Sequence, residues 1–307
     1  MLRLLRDPNL LPSEKLTLLS NIANLAQALG MPCYVVGGFV RDLLLGKPVN
    51  DLDVVVEGDA IKFGKQLVEV YGGKLTLHFK FHTAIWHLPD STDFVDLITA
   101  RKETYEHPGA LPTVTPSTID DDLRRRDFTI NAMALRLGGE SFGETVDPLK
   151  GQTDLERGVI RVLHPNSFID DPTRIFRAIR YEARYGFAIA PETLGLINPE
   201  SLQVLSSLSG ERLRHELDLI LEEDQSAPML LRIASLGLLD FIHPKLPEFA
   251  QDLAEFLDID GHLDFSADRR TMGYILWYID LFEDDVFSFS NRLGFSNELT
   301  LSVWAGT

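Results

Sequence analysis

Cysteine is all but missing from this chain of 307 residues, and Cys33 is the single one. An internal disulfide and a thiolate-built zinc site are therefore excluded, and a reducing, cytoplasmic setting fits best. No apolar run approaches the roughly eighteen residues that signal a bilayer-spanning helix, so no membrane span is expected. The first residues, Met1-Leu-Arg-Leu-Leu-Arg-Asp, meet charge too early for a secretory signal. Positive charge is scarce too: 29 Lys and Arg stand against 46 Asp and Glu, a net of −17. Taken alone, that deficit speaks against a nucleic-acid partner, because phosphate contacts need cations. Its distribution weakens the objection. Residues 211–307 hold 7 basic and 19 acidic residues, a net of −12, which leaves only −5 for residues 1–210.

What is present is an ordinary globular composition, with 45% hydrophobic and 24% charged residues. Leu16, Leu18, Leu19, Ile22, Leu25 and Leu29 recur at helical spacing behind Ser13-Glu14-Lys15. Cys33–Val36 reads as a short strand, broken by Gly37-Gly38, with helical spacing resuming from Phe39 to Leu45. Leu52–Val56, Phe81–Leu88 and Phe94–Ile98 read as strands and Ala60–Tyr71 as a helix. This alternation predicts a mixed α/β domain over residues 1–140. Pro108, Gly109, Pro112, Pro116 and Ser117 mark 102–121 as a mobile loop. From about Asp170 Leu-rich helical patterns take over, through Leu239 and on to Leu281. The pattern from Leu299 to Thr307 stops without a cap, which reads as a truncation of something longer.

Five segments carry candidate chemistry. Val35-Val36-Gly37-Gly38-Phe39-Val40-Arg41-Asp42 is a strand, two glycines and a helix start. Glycines let a backbone approach a triphosphate and helix amides favour an anion, though the same pattern suits a plain tight turn. Asn50-Asp51-Leu52-Asp53 places two carboxylates at i and i+2, on one face of a strand. Two such anions repel unless a cation joins them, and Mg²⁺ takes carboxylate and phosphate oxygens together. An edge strand with a solvated acidic face is the plainer alternative. A third carboxylate would complete a two-metal site. Asp96 qualifies, sharing with Phe94 and Ile98 the face expected to point inward, while Asp93 falls on the other. Arg124-Arg125-Arg126-Asp127 sets a basic triplet beside an Asp, suited to gripping phosphate. With Asp120 to Asp122 just upstream, a surface ion network fits equally.

The fifth segment is Asp170-Asp171-Pro172-Thr173-Arg174, with Arg177, Arg180 and Arg184 following. Pro172 behind acidic residues is a helix-start signal. An Asp and an Arg one turn apart can read a base edge: the carboxylate accepts from an exocyclic amino group, and the guanidinium donates to the adjacent ring nitrogen. Cytosine and adenine both offer that edge. An amphipathic helix laced with salt bridges is the alternative.

Taken in order, these segments resemble the bacterial-type (class II) tRNA nucleotidyltransferase and poly(A) polymerase family, the CCA-adding enzymes among them. The resemblance runs from about Tyr34 to Glu216. It rests on Gly37-Gly38-x-Val40-Arg41-Asp42, Asp51-x-Asp53, Arg125-Arg126-Asp127-Phe128-Thr129-Ile130-Asn131-Ala132, Asp147-Pro148, Asp171-x-x-Arg174-x-x-Arg177-Ala178-x-Arg180 and Ser209-Gly210-Glu211-Arg212. It implies an α+β fold: a nucleotidyltransferase head with a small mixed sheet (1–140), a helical neck (141–225) and a partial helical body (226–307). It implies Asp51 and Asp53 as ligands of two Mg²⁺ ions, and Asp96 stands beside them as the further catalytic carboxylate that strand alternation suggests. Gly37, Gly38, Arg41, Arg126, Asp127 and Asn131 would contact the nucleotide, Asp171 and Arg174 would select CTP and ATP, and Arg177 and Arg180 would assist. The implied partner is the 3′ end of tRNA, with no membrane and no protein partner.

Two features narrow the expectation. The stretch Ala100 to Pro112 lacks the arginines many CCA-adding relatives carry there, and its Pro108-Gly-Ala-Leu-Pro112 form is similar to A-adding members. Addition of CCA, of CC alone or of the terminal A alone therefore remain three readings of one chemistry. The alternatives are a bacterial poly(A) polymerase, a small-molecule nucleotidyltransferase, or an inactive RNA-binding module that kept the fold.

Overall fold

The structure, a computed structural model, describes residues 2–49, 52–139, 141–243, 246, 269–278 and 281–306. It divides into two compact units: residues 1–106 with 111–164, and residues 107–110 with 165–307.

The first unit is built on a seven-stranded mixed sheet. Its strands are β1 (Cys33–Val36), β2 (Asp53–Val56), β3 (Lys74–His78), β4 (Thr83–His87), β5 (Phe94–Thr99), β8 (Ala134–Leu137) and β9 (Thr145–Val146), in the order β3-β4-β5-β2-β1-β8-β9. A separate hairpin pairs β6 (Arg101–Thr104) with β7 (Thr113–Pro116). The helices are α1 (Leu2–Leu5), α2 (Ser13–Ala28), α3 (Gly38–Leu44), α4 (Ala60–Tyr71), α5 (Ile119–Arg124) and α6 (Gly151–Glu156). β1 and β2 are central, so both of their faces are covered and their Val residues are buried. Each such side chain contributes roughly 1.5–3 kcal/mol on burial. On one face Tyr34, Val36, Val55 and Ala134 pack with Ala100 and with Ile119 and Leu123 of α5. On the other, α4 lies close on the sheet. A Cβ at Gly64 would come within 2.9 Å of the Leu97 side chain, so glycine sets that approach. Asp59 caps α4 through the amides of Ile61 and Lys62, and Ala60 N donates to Thr99 Oγ1 at 3.0 Å.

Several expectations change here. β3 is an additional strand: Lys74, Thr76 and His78 are exposed and Leu75 and Leu77 only half-buried, the faint pattern of a sheet edge. In β5 the face expected inward, with Phe94, Asp96 and Ile98, is the more open one. Val95, Leu97 and Thr99 are buried instead, because α4 packs on their side. The 102–121 segment is a loop only at its tip, since the β-branched run Thr113-Val-Thr115 pairs back onto 102–104. The first unit also runs past the expected end at 140. Asp147 caps α6 through the amides of Gly151 and Gln152, and Thr129 Oγ1 donates to Asp154 at 2.7 Å. Residues 141–164 thus belong with the sheet and not with the helical part.

The second unit is helical, as the Leu-rich periodicity predicts: α7 (Ser167–Asp170), α8 (Thr173–Tyr185), α9 (Pro191–Leu194), α10 (Pro199–Ser207), α11 (Gly210–Leu221), α12 (Ser226–Ser235), α13 (Leu239–Ile242), α14 (Arg269–Tyr278), α15 (Glu283–Leu293) and α16 (Asn297–Gly306). α8 is its centre, burying Ile175, Phe176, Ala178 and Ile179 against α11 and α12 and ending on left-handed Gly186. Most of the helical pattern read between Leu239 and Leu281 lies outside the described residues.

Candidate active site

Val36 ends β1, and the chain must turn at once into α3. Gly37 makes that turn at φ +65°, ψ −124°, a conformation L side chains rarely adopt. Its amide donates to Met133 O at 3.1 Å, anchoring the turn to the segment that follows the basic triplet. Side chains tighten the same link. Arg41 is buried; its Nε and Nη2 donate to Asp42 at 2.9 and 3.0 Å, and its Nη1 donates to Asn131 Oδ1 at 2.6 Å. Asn131 Nδ2 then donates to Asp127 Oδ1 at 3.0 Å, and so does the Phe128 amide at 2.8 Å. Arg41, Asp127 and Asn131, separate in the sequence, form one chain of hydrogen bonds. Gly37→Ala should test how tightly this corner is built. A β-carbon there would lie 2.8 Å from Arg126 Nη1. The substitution is expected to cost about 1–3 kcal/mol of stability from backbone strain, read as a lower melting temperature, and to weaken ATP binding by displacing Arg126.

Asp53 opens β2, and β2 runs antiparallel to β1 with Val35 opposite Val54, which puts Asp53 at the same edge of the sheet as Gly37. β2 and β5 are parallel, with Asp53 directly opposite Asp96. Direct partners share a face, at a strand spacing of about 4.8 Å. Two carboxylates are thus side by side on one face of the sheet, where they repel unless positive charge joins them. All the donors are hard oxygens, suited to Mg²⁺. Asp51, the other half of the pair expected from sequence, lies outside the described residues. Among the described residues no group of three potential metal-holding side chains forms.

The basic triplet divides between surface and interior. Arg124 pairs with Asp120 on the exposed side of α5, the surface network expected of it. Arg125 and Arg126 turn inward onto Asp122, which is completely buried. Burial pushes the Asp122 carboxyl up, but the guanidinium groups of Arg126 and Arg125 outweigh it and hold the carboxyl below its ordinary value.

In the second unit, Asp171 sits between α7 and α8. Its Oδ1 accepts from Thr173 N at 3.2 Å, Thr173 Oγ1 at 2.7 Å and Arg212 Nη2 at 2.9 Å. Those donors fix the carboxylate while its Oδ2 carries no hydrogen bond from the described residues. Arg174 is buried, with Nη1 donating to Ser167 Oγ at 2.8 Å. Arg212 Nη1 also donates to Gly109 O at 2.6 Å, and the Gly109 amide donates to Ile169 O at 3.0 Å, so the tip expected to be mobile is held. Arg177 lies over the Tyr181 ring and donates to its hydroxyl. Arg180, expected near phosphate, is buried beside Glu216 of α11 at 3.4 Å. Burial pushes the Glu216 carboxyl up against the pull of Arg180. This pair links α8 to α11.

Sequence reasoning overlooked Asp122, Arg212 and Ser167 as supports of the expected site residues. Asp122 had one usable signal. In an α5 helix it stands three and four residues before Arg125 and Arg126, on their side, whereas Asp120 does so for Arg124. Arg212 and Ser167 had none, since their partners lie on other elements.

Comparison with known proteins bears on these arrangements. Residues 33–161 match the family described as Poly A polymerase head domain, and residues 186–250 match the probable RNA and SrmB-binding site of polymerase A. The A-adding tRNA nucleotidyltransferase of Geobacter sulfurreducens is 47% identical over 237 residues, 77% of this chain and 27% of that protein. The A-adding tRNA nucleotidyltransferase of Halalkalibacterium halodurans is 42% identical over 229 residues, 74% of this chain and 53% of that protein. The chain thus spans about a quarter and about half of the length of these two relatives. The Thermotoga maritima CCA-adding enzyme, solved in complex with tRNA, superposes with a TM-score of 0.82 at 35% identity, covering 98% of this chain and 71% of that one. On these matches, and on the motifs the fold brings together, the chain belongs to the tRNA nucleotidyltransferase and poly(A) polymerase family.

Proposed function

We propose that the chain is the catalytic portion of a tRNA 3′-terminal nucleotidyltransferase that transfers AMP from ATP to complete the CCA end. The observation that carries the chemistry is the direct pairing of Asp53 with Asp96 at the sheet edge that also holds Gly37. Asp53 and Asp96, with Asp51, would hold Mg²⁺. When bound, the metal supplies positive charge that activates a hydroxyl and stabilises a departing pyrophosphate. Arg126, backed by Asp122, would grip the triphosphate, and the Arg41–Asn131–Asp127 chain would hold the sugar side of the site in place. In the reaction the tRNA 3′ oxygen bonds to the α-phosphorus, the bond from that phosphorus to the bridging oxygen breaks, and pyrophosphate leaves. In the second unit Asp171 would accept from the exocyclic amino group of adenine while Arg174 donates to the ring nitrogen. The names of the Geobacter and Halalkalibacterium relatives support A addition, as does the arginine-poor loop. A cytoplasmic setting agrees with this role.

The test incubates the protein with Mg²⁺ and each labelled nucleoside triphosphate in turn. The acceptors are tRNA transcripts lacking CCA, lacking CA, or lacking only the terminal A. One AMP added to the last transcript alone is the expected product. Addition of all three nucleotides would reassign the chain to CCA synthesis, and long A tracts would reassign it to poly(A) synthesis. No transfer to any acceptor would overturn the proposal.

A further inference from the structure

Behind Arg126 lies a fully buried carboxylate. Asp122 is 0% exposed, yet it is neither surface decoration nor a helix cap. Its Oδ1 accepts from Arg125 Nη2 at 2.7 Å, Arg125 Nε at 2.9 Å and the Arg101 amide at 3.4 Å. Its Oδ2 accepts from Arg126 Nη2 at 3.0 Å. Arg125 is further tied to Glu103 at 3.0 Å, and Arg101 to the same carboxylate at 3.1 Å. Three guanidinium groups therefore share two carboxylates, and the network keeps one positive charge in excess. Arg125 is occupied on both arms. Arg126 is not: among the described residues neither its Nη1 nor its buried Nε has a hydrogen-bond acceptor. Nη1 lies 2.8 Å from the place a Cβ on Gly37 would take. The Nη1 donor thus faces the glycine turn at the sheet edge that carries Asp53.

We propose that Asp122 is the positioning residue for Arg126, holding one arm of its fork so that the other stays aimed over Gly37 at the triphosphate of the incoming nucleotide. This rests on Arg126 as a nucleotide ligand. A long arginine without a fixed arm samples many rotamers and must lose that freedom on binding. A carboxylate accepts at both oxygens and matches the planar fork. An amide in its place presents one donor end to two guanidinium groups, so Asp122→Asn removes the attraction while keeping the shape.

The test titrates ATP with Mg²⁺ into the whole chain by calorimetry, which needs no tRNA and survives a failure of the tRNA assignment. Arg126→Ala is expected to weaken ATP binding about tenfold or more, and Asp122→Asn about tenfold, the scale of one charge-assisted hydrogen bond. In the Arg126→Ala background, Asp122→Asn is expected to weaken ATP binding no further, although it still lowers the melting temperature. A merely structural Asp122 would give additive losses in affinity, and that result overturns the proposal. Unchanged affinity in Arg126→Ala would instead remove the ligand role on which it rests. Should Asp122→Asn fail to fold, Arg126→Lys decides. A single ammonium can serve Asp122 or the nucleotide but not both, so affinity should fall while the melting temperature stays near that of the parent. Parental affinity in Arg126→Lys would overturn the proposal as well.

Discussion

Asp53→Asn is expected to abolish nucleotide transfer while leaving the protein folded. Losing one metal-holding carboxylate removes on the order of 4 kcal/mol of transition-state stabilisation, about 10³-fold in kcat at 1.36 kcal/mol per tenfold. The stability effect should have the opposite sign. In metal-free protein Asp53 and Asp96 stand directly opposite each other across two parallel strands, and neutralising one removes their repulsion. The variant should therefore melt at or above the parent temperature in EDTA. Mg²⁺ should raise the parent melting temperature, since a ligand bound only by the folded state stabilises by RT ln(1 + [L]/Kd), about 2.7 kcal/mol at a hundredfold excess over Kd. In Asp53→Asn that increment should shrink sharply. Single-turnover transfer assays and paired melting curves read both effects. A variant that still transfers AMP at the parent rate would remove Asp53 from the site.

Arg174→Ala is expected to relax the choice of base more than it slows transfer. If the guanidinium donates to a ring nitrogen, its loss should cost roughly 1–3 kcal/mol of discrimination against the wrong base. The reading is the ratio of kcat/KM for ATP to that for GTP or UTP. The side chain is buried and bonded to Ser167, so its removal also leaves a hydroxyl unsatisfied and lowers stability by about 1–3 kcal/mol. Ser167→Ala separates the two effects. It keeps the guanidinium and loses its bond to Ser167, so it should loosen the base ratio less than Arg174→Ala. Equal base ratios in parent and Arg174→Ala would remove the reading role.

The local elements were legible where a segment serves one purpose. Ser13–Ala28, Cys33–Val36 and Ala60–Tyr71 follow directly from periodicity and punctuation. β3 escaped because an edge strand buries too little to enforce alternation. The inward face of β5 was misjudged because alternation says that two faces differ, not which one a helix will cover. Gly37 carried its own evidence, since glycine there answers a backbone angle. Arg180 illustrates the opposite case: its spacing suggests a phosphate ligand and says nothing of Glu216, which reaches it from α11.

The sequence by itself determined the two-part composition, the turn at Gly37-Gly38, the candidate carboxylates and the order of motifs that marks the family. These depend on local backbone preference and on residue type, which neighbours in the chain already express. Tertiary structure alone decided that Asp53 faces Asp96, that Arg41 reaches Asp127 through Asn131, and that Asp122 lies buried behind Arg126. Pair energies between charges depend on distance and on exclusion of water, and both are set by which strands and helices pack together.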